Sequence, residues 1–255
     1  WTTADCGLDS IGVYARDSFE MPVHAILSLT NACNLHCPFC FLRKIEGQQA
    51  MTTGDWLDLI EQLPRYSRVI LFGGEPLLFD GFAGVFMAAA ATHDCSIVTN
   101  GTLLTSAVAQ LLVSRVRFRD LNVSIDSLGN WNRNFSQSDW EAMLAGVDAY
   151  NDLRAGSQKQ LGVSVVLLDE TAEELHELHR FAHERLRCDF VNYCLLNGSP
   201  MQLCDVMRPY EAVHERAVPP LYAKWDMLLD QLDRNRRYDR EHGFVSYFRP
   251  KLIDF

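Results

Sequence analysis

The stretch that decides the fold reads Ala25-Ile26-Leu27-Ser28-Leu29-Thr30-Asn31-Ala32-Cys33-Asn34-Leu35-His36-Cys37-Pro38-Phe39-Cys40. Its first five residues are a short apolar run of strand formers, and three cysteines follow directly. Working outward, strand and helix patterns alternate. Thr52 or Thr53 can cap a helix in which Trp56, Leu59, Ile60 and Leu63 recur at i, i+3, i+4 and i+7, and Pro64 ends it. Further strands read at Val69 to Phe72, Ser96 to Thr99, Leu121 to Ile125, Val163 to Leu167 and Phe190 to Leu195. Helices read at Phe82 to Ala91, Ser106 to Val113, around Trp140 to Val147, and from near Thr171 to Ala182. This alternation predicts an α/β fold of right-handed βαβ units on a parallel sheet, closed partly or fully into a barrel or left open. No glycine fingerprint for a dinucleotide follows the first strand.

Composition narrows the setting. A chain of 255 residues, 48% apolar and 22% charged, can bury a large core and is not disordered. The longest apolar runs, such as Val85 to Ala91, fall well short of the roughly 20 residues that span a bilayer. The first thirty residues lack a basic start followed by an apolar stretch. We therefore expect a cytoplasmic protein with no membrane partner. A formal net charge of -10, with Lys and Arg scattered, argues against nucleic acid. The chain stops just after a strand read at Phe244 to Phe248, the pattern of a piece of a longer polypeptide.

Eight cysteines without a secretory signal argue for ligation rather than a disulfide framework, because three of them fall within eight residues. Cys33, Cys37 and Cys40 form Cys-x3-Cys-x2-Cys, and thiolates are what soft iron-sulfur centres require. Three ligands on a four-iron cube leave one iron without a protein ligand. An open metal position means reactivity, as it does at catalytic zinc. The alternative for the same residues is a zinc knot that adds His36.

This motif after a first strand, with the aromatic Phe39 before the last cysteine, resembles the signature of the radical S-adenosylmethionine (radical SAM) superfamily. The resemblance covers roughly Ala25 to Leu195 and implies a partial (β/α)6 TIM-like barrel with parallel strands. It also implies a [4Fe-4S] cluster on Cys33, Cys37 and Cys40, with S-adenosylmethionine as second cofactor. Gly73-Gly74-Glu75-Pro76 would bind the methionyl ammonium, the glycines allowing close backbone approach. Its alternative is a type II turn with a solvated Glu75. Asn100 with Gly101, and Ser124 to Ser127 including Asp126, resemble the segments that hold the methionine carboxylate and the ribose hydroxyls; ordinary turns are the alternative. Phe39, with Tyr193 or Asn197, is where the resemblance would place the adenine. These positions share the carboxyl ends of the predicted strands, the face on which parallel barrels carry their sites.

Other residues receive no chemistry. His176, His179 and His183 fall on one helical face and read as surface or rim histidines. Cys188, Cys194 and Cys204 read as structural thiols, although auxiliary clusters occur in relatives. The expected layout is an N-terminal extension over 1–22, the barrel over 23–200, and a helical bridge with a final strand over 201–255. That bridge resembles one that precedes auxiliary-cluster domains of the SPASM or twitch type in peptide-modifying enzymes. The implied function is reductive cleavage of S-adenosylmethionine to a 5'-deoxyadenosyl radical that abstracts a substrate hydrogen, in an oxidoreductase or maturase fed by a donor such as flavodoxin or ferredoxin. A peptide or protein substrate is slightly favoured over a small molecule, such as a sugar or antibiotic precursor, handled by a dehydrogenase or epimerase. A non-catalytic iron-sulfur or zinc-binding module is the alternative of another class.

Overall fold

A computed structural model describes residues 23–40, 51–195 and 223–247. The chain runs β1 (His24–Ser28), α1 (Thr53–Gln62), β2 (Arg68–Phe72), α2 (Phe82–Thr92), β3 (Cys95–Thr99), α3 (Ser106–Val113) and β4 (Phe118–Ser124). It continues through α4 (Gln137–Arg154), β5 (Gln160–Leu167), α5 (Leu175–Glu184), β6 (Phe190–Leu195), α6 (Trp225–His242) and β7 (Val245–Tyr247). All seven strands lie in one sheet in chain order, and each runs parallel to its neighbours. This is the sheet of a partial TIM-like barrel, extended by one strand beyond the expected six. The extra strand is β7, which pairs Val245 to Tyr247 with Phe190 to Asn192 of β6.

Local chemistry sets the element ends. Thr52 and Asp55 form a reciprocal capping box at the start of α1, and Ser136 and Asp139 do the same for α4. Gly243 ends α6 in the left-handed region, where a residue without a Cβ is unstrained. Strand alternation then sorts the two faces of the sheet. Ala25, Leu27, Val69, Leu71, Leu121, Val123, Leu161 and Val163 are buried under the helices. There Phe86 meets Phe118 edge-on at 5.6 Å, and Phe118 meets Tyr150 edge-on at 6.3 Å.

The opposite face, toward the barrel interior, is polar. Arg68 pairs with Asp120 and donates to Ser96 Oγ from Nη2 at 2.7 Å. Asn122 Nδ2 donates to Asp120 Oδ1 at 2.6 Å, and Asn192 Nδ2 donates to Asn122 Oδ1 at 3.4 Å. Burial raises the Asp120 carboxyl, against the pull of Arg68, so this network holds a charge that water would otherwise solvate.

Two expectations outside the site are corrected. His179 and His183 are not surface or rim residues: only 1% and 4% of their areas are exposed. The reason is α6, which packs on α5 from far along the chain and covers the face that carries them. Cys194 is exposed, whereas Cys188 is buried with its thiol pushed up by that burial; Cys204 lies outside the described residues. No helix among the described residues is long and apolar enough to cross a membrane.

Candidate functional site

The carboxyl ends of the first four strands bring most of the sequence-predicted residues together. After β1 the chain turns through the cysteine loop, and the turn after β2 packs directly against it. Gly74 N–H donates to the Thr30 carbonyl at 2.7 Å and Glu75 N–H to the Ala32 carbonyl at 2.9 Å. A Cβ on Gly74 would lie 2.2 Å from the Ala32 oxygen, and one on Gly73, at φ +149°, 2.6 Å from the Thr30 oxygen. The paired glycines are thus required by the close approach of two backbones to each other.

Glu75 follows them and is fully buried. Its Oε1 accepts from Thr99 Oγ1 at 2.7 Å and from Leu77 N–H at 3.1 Å, and its Oε2 accepts from Asn100 N–H at 2.8 Å. No cation is paired with it among the described residues. Burial pushes its carboxyl up to about 7, against the three donors that favour the charged form. Pro76, also buried, opens the short 3-10 turn over Pro76–Leu78 that Glu75 caps.

Asn100 joins this turn to the cysteines. Its Nδ2 lies 3.9 Å from Cys33 Sγ as a donor and donates to Asn34 Oδ1 at 3.0 Å. Leu35 N–H donates to the same sulfur at 3.4 Å. Burial raises the thiol pKa of both Cys33 and Cys37; at Cys37 the Arg133 guanidinium pulls the other way.

The loop after β4 closes the site from the far side, and most of it escaped the sequence reading. Asp126 is fully buried: its Oδ1 accepts from Val166 N–H at 2.7 Å, and its Oδ2 lies 2.6 Å from Arg133 Nε. The Arg133 guanidinium also lies over the Phe39 ring, 5.4 Å from its centre, and the Arg133 carbonyl accepts from Cys37 Sγ at 3.8 Å. Asn134 Nδ2 donates to the His36 carbonyl at 2.8 Å. Ser124 is half-buried, and its carbonyl accepts from Asn130 Nδ2 at 3.1 Å. The overlooked signal was the run Gly129-Asn130-Trp131-Asn132-Arg133-Asn134, whose Asn130 and Asn134 adopt positive φ.

Two residues do not join this constellation. Asn197 lies outside the described residues. Tyr193 turns from β6 into the layer between α5 and α6, where its hydroxyl meets His179 Nδ1 at 2.7 Å and accepts from Asn235 Nδ2 at 2.7 Å.

A family model described as the radical SAM superfamily matches residues 27–182. The chain belongs to that superfamily. Over 129 residues it is 33% identical to a probable GTP 3',8-cyclase of Methanocella arvoryzae, a match covering 48% of this chain and 41% of the cyclase. Over 118 residues it is 28% identical to the sporulation killing factor maturation protein SkfB of Bacillus subtilis, covering 45% and 28%. The fold is shared with Streptococcus suis SuiB bound to S-adenosylmethionine, at a TM-score of 0.69 and 16% identity, over 93% of this chain and 52% of SuiB. The chain therefore spans about half the length of these relatives, or less.

Radical SAM enzymes use a [4Fe-4S] cluster and S-adenosylmethionine. The residues present fit that pair. Cys33, Cys37 and Cys40 lie on one loop beside Asn100 and Arg133, and thiolates are the ligands that soft iron-sulfur centres require. Beside them, Glu75 is a buried carboxyl group with no paired cation among the described residues, and its carboxylate form is the complement of an ammonium group.

Proposed function

We propose that Cys33, Cys37 and Cys40 hold the cluster, that Glu75 and Asn100 orient S-adenosylmethionine beside it, and that the enzyme modifies a peptide by radical chemistry. The observation that carries this reading is the continuity from Cys33 Sγ through Asn100 to Glu75. One residue gives its side chain to a cluster sulfur and its backbone N–H to the carboxylate. When bound, the cluster, reduced by a donor such as flavodoxin or ferredoxin, supplies the electron that splits S-adenosylmethionine to a 5'-deoxyadenosyl radical able to take a substrate hydrogen.

The protein's own residues orient and shield. Glu75 accepts the methionyl ammonium in charge-assisted hydrogen bonds, an interaction of about 1.5–3 kcal/mol. Gly73, Gly74 and Pro76 fix the turn that aims it. Asn100, which already bonds Cys33 Sγ and Asn34, sets the methionine end against the loop. Ser124 and its neighbours at the end of β4 face the ribose. Asp126 acts one step back, through Arg133, which holds Phe39 as a wall for the adenine. Asn197 belongs to the same proposed adenine end.

A peptide substrate is supported by SuiB, solved also with its precursor peptide SuiA, and by the maturation protein SkfB. The net charge of -10 adds to this, since it disfavours a triphosphate. The identity to GTP 3',8-cyclases favours a second reading, a small-molecule cyclisation. Anaerobic reconstitution with iron and sulfide, followed by dithionite and S-adenosylmethionine, tests the chemistry: 5'-deoxyadenosine should form. Its absence from protein with a full cluster overturns the proposal. Stimulation by GTP instead of peptides selects the second reading.

A further inference from the structure

The face where α5 meets α6 carries a cluster that the cysteine site does not use. His179 and His183, one turn apart on α5, and Asp239 of α6 place their ligand atoms within 4.8 Å of one another, and all three residues are buried. His179 Nε2 lies 2.7 Å from Asp239 Oδ1, and His183 Nε2 lies 3.7 Å from the same oxygen. We propose that these three side chains form a second metal site, separate from the cysteine loop, that takes a zinc-type divalent cation and pins α6 to α5.

Hydrogen bonding alone accounts for His179 but not for His183. The His183 side chain is fully buried, yet its Nε2 has no hydrogen-bond partner among the described residues. Its ring is fixed from behind, stacked on Phe244 with centroids 4.1 Å apart and with Nδ1 3.3 Å from the Cys188 carbonyl. A buried nitrogen left unsatisfied costs about 1–3 kcal/mol, so a lone pair held toward a carboxylate asks for something between them. A proton or a cation can sit there.

The outer partners are those a metal site needs. Ligating imidazoles bind through one nitrogen and hold the other by a hydrogen bond. Here Nδ1 of His183 meets the Cys188 carbonyl, and Nδ1 of His179 meets the Tyr193 hydroxyl at 2.7 Å. The second carboxylate oxygen of Asp239 accepts from Ser246 Oγ at 2.5 Å, which fixes its plane. Two ligands on one tetrahedral ion, bound at about 2.0 Å, stand about 3.3 Å apart. The observed separations of 2.7 and 3.7 Å straddle that value.

Two imidazoles and one carboxylate suit zinc or another late first-row ion and disfavour magnesium and calcium. A groove of about 460 Å³, lined by Asp233, Arg236, Asp239, Phe244 and Ser246 among others, reaches the carboxylate and offers an entry path. Three protein ligands leave a fourth position for water.

The test uses cluster-loaded protein, so that the cysteines are occupied, and titrates it anaerobically with Zn2+ against Mg2+. One equivalent of zinc is expected, with nitrogen and oxygen ligands and imidazole scattering at the zinc X-ray edge. At a hundred-fold excess over Kd it should raise the melting temperature by about 5 °C. His183→Gln and Asp239→Asn, which keep most of the packing, should each weaken binding at least ten-fold. Sulfur ligation at the zinc edge overturns the proposal, as does undiminished zinc affinity in both variants, or a magnesium effect equal to that of zinc.

Discussion

Arg133 Nε lies 2.6 Å from Asp126 Oδ2, with only 12% of the arginine side chain and none of the aspartate exposed. This buried pair locks the loop after β4, and the same arginine covers Phe39 and accepts from the Cys37 thiol through its carbonyl. Removing one partner leaves a charge buried alone, which costs about 3–5 kcal/mol, whereas replacing both by apolar groups costs far less. We predict that Arg133→Met and Asp126→Asn each lose stability of that order in urea and release iron from the cysteine loop. The double variant should recover part of the stability but not the iron. Singles no worse than the double would show the pair to be incidental.

The turn after β2 makes a sharper prediction. In Gly74→Ala the new Cβ would collide with a backbone oxygen of the cysteine loop, and backbone cannot step aside as a flexible side chain can. The variant is expected to cost about 1–3 kcal/mol and to lose most cluster iron. Gly54→Ala is the control, because its Cβ would meet Thr52 Oγ1 at an ordinary 3.6 Å. Iron content and visible absorbance after reconstitution check both.

Much of this was legible in the chain itself. The strand starts came from apolar runs bounded by turn residues, and α3 and β6 lie where the pattern placed them, at Ser106–Val113 and Phe190–Leu195. The cysteine spacing and the strand-end positions of Glu75 and Asn100 pointed to one corner of the sheet. Arg133 was not legible, because its role depends on two asparagines in positive φ that carry it back under Phe39. The burial of His179 was hidden for another reason. Its partner Asp239 lies 60 residues further on, and no local period reports a contact at that range. The glycine pair is visible in the sequence, but its packing against the backbone of the cysteine loop is a contact that no local pattern reports.

The ligand set separates the cysteines. Cys95 is buried in β3, its thiol pushed up to about 12 chiefly by burial, with the Asp120 charge adding to the shift. Such a thiol is a poor ligand and an ordinary core residue. Cys37→Ala should therefore abolish the cluster and all 5'-deoxyadenosine formation, whereas Cys95→Ala should keep iron near the wild-type level. Equal iron loss in the two variants would show the ligands to be misassigned.

Glu75 gives the pH dependence. Its folded-state carboxyl is raised from 4.5 to about 7 by burial, so between those values the folded chain holds a proton that the unfolded chain has released. That group's stabilisation is complete on the acid side and is lost as pH rises through about 7, by about 3 kcal/mol in all. Glu75→Gln cannot titrate. The wild type should therefore lose stability relative to the variant between about pH 4.5 and 7, in urea melts without S-adenosylmethionine. The cofactor's ammonium needs the carboxylate form, so affinity should move the other way, climbing with pH and levelling above 7. Glu75→Gln should bind S-adenosylmethionine about 10- to 150-fold more weakly, with no such climb. Wild-type affinity flat across the same range, or variant affinity equal to it, would remove Glu75 from the proposed cofactor site.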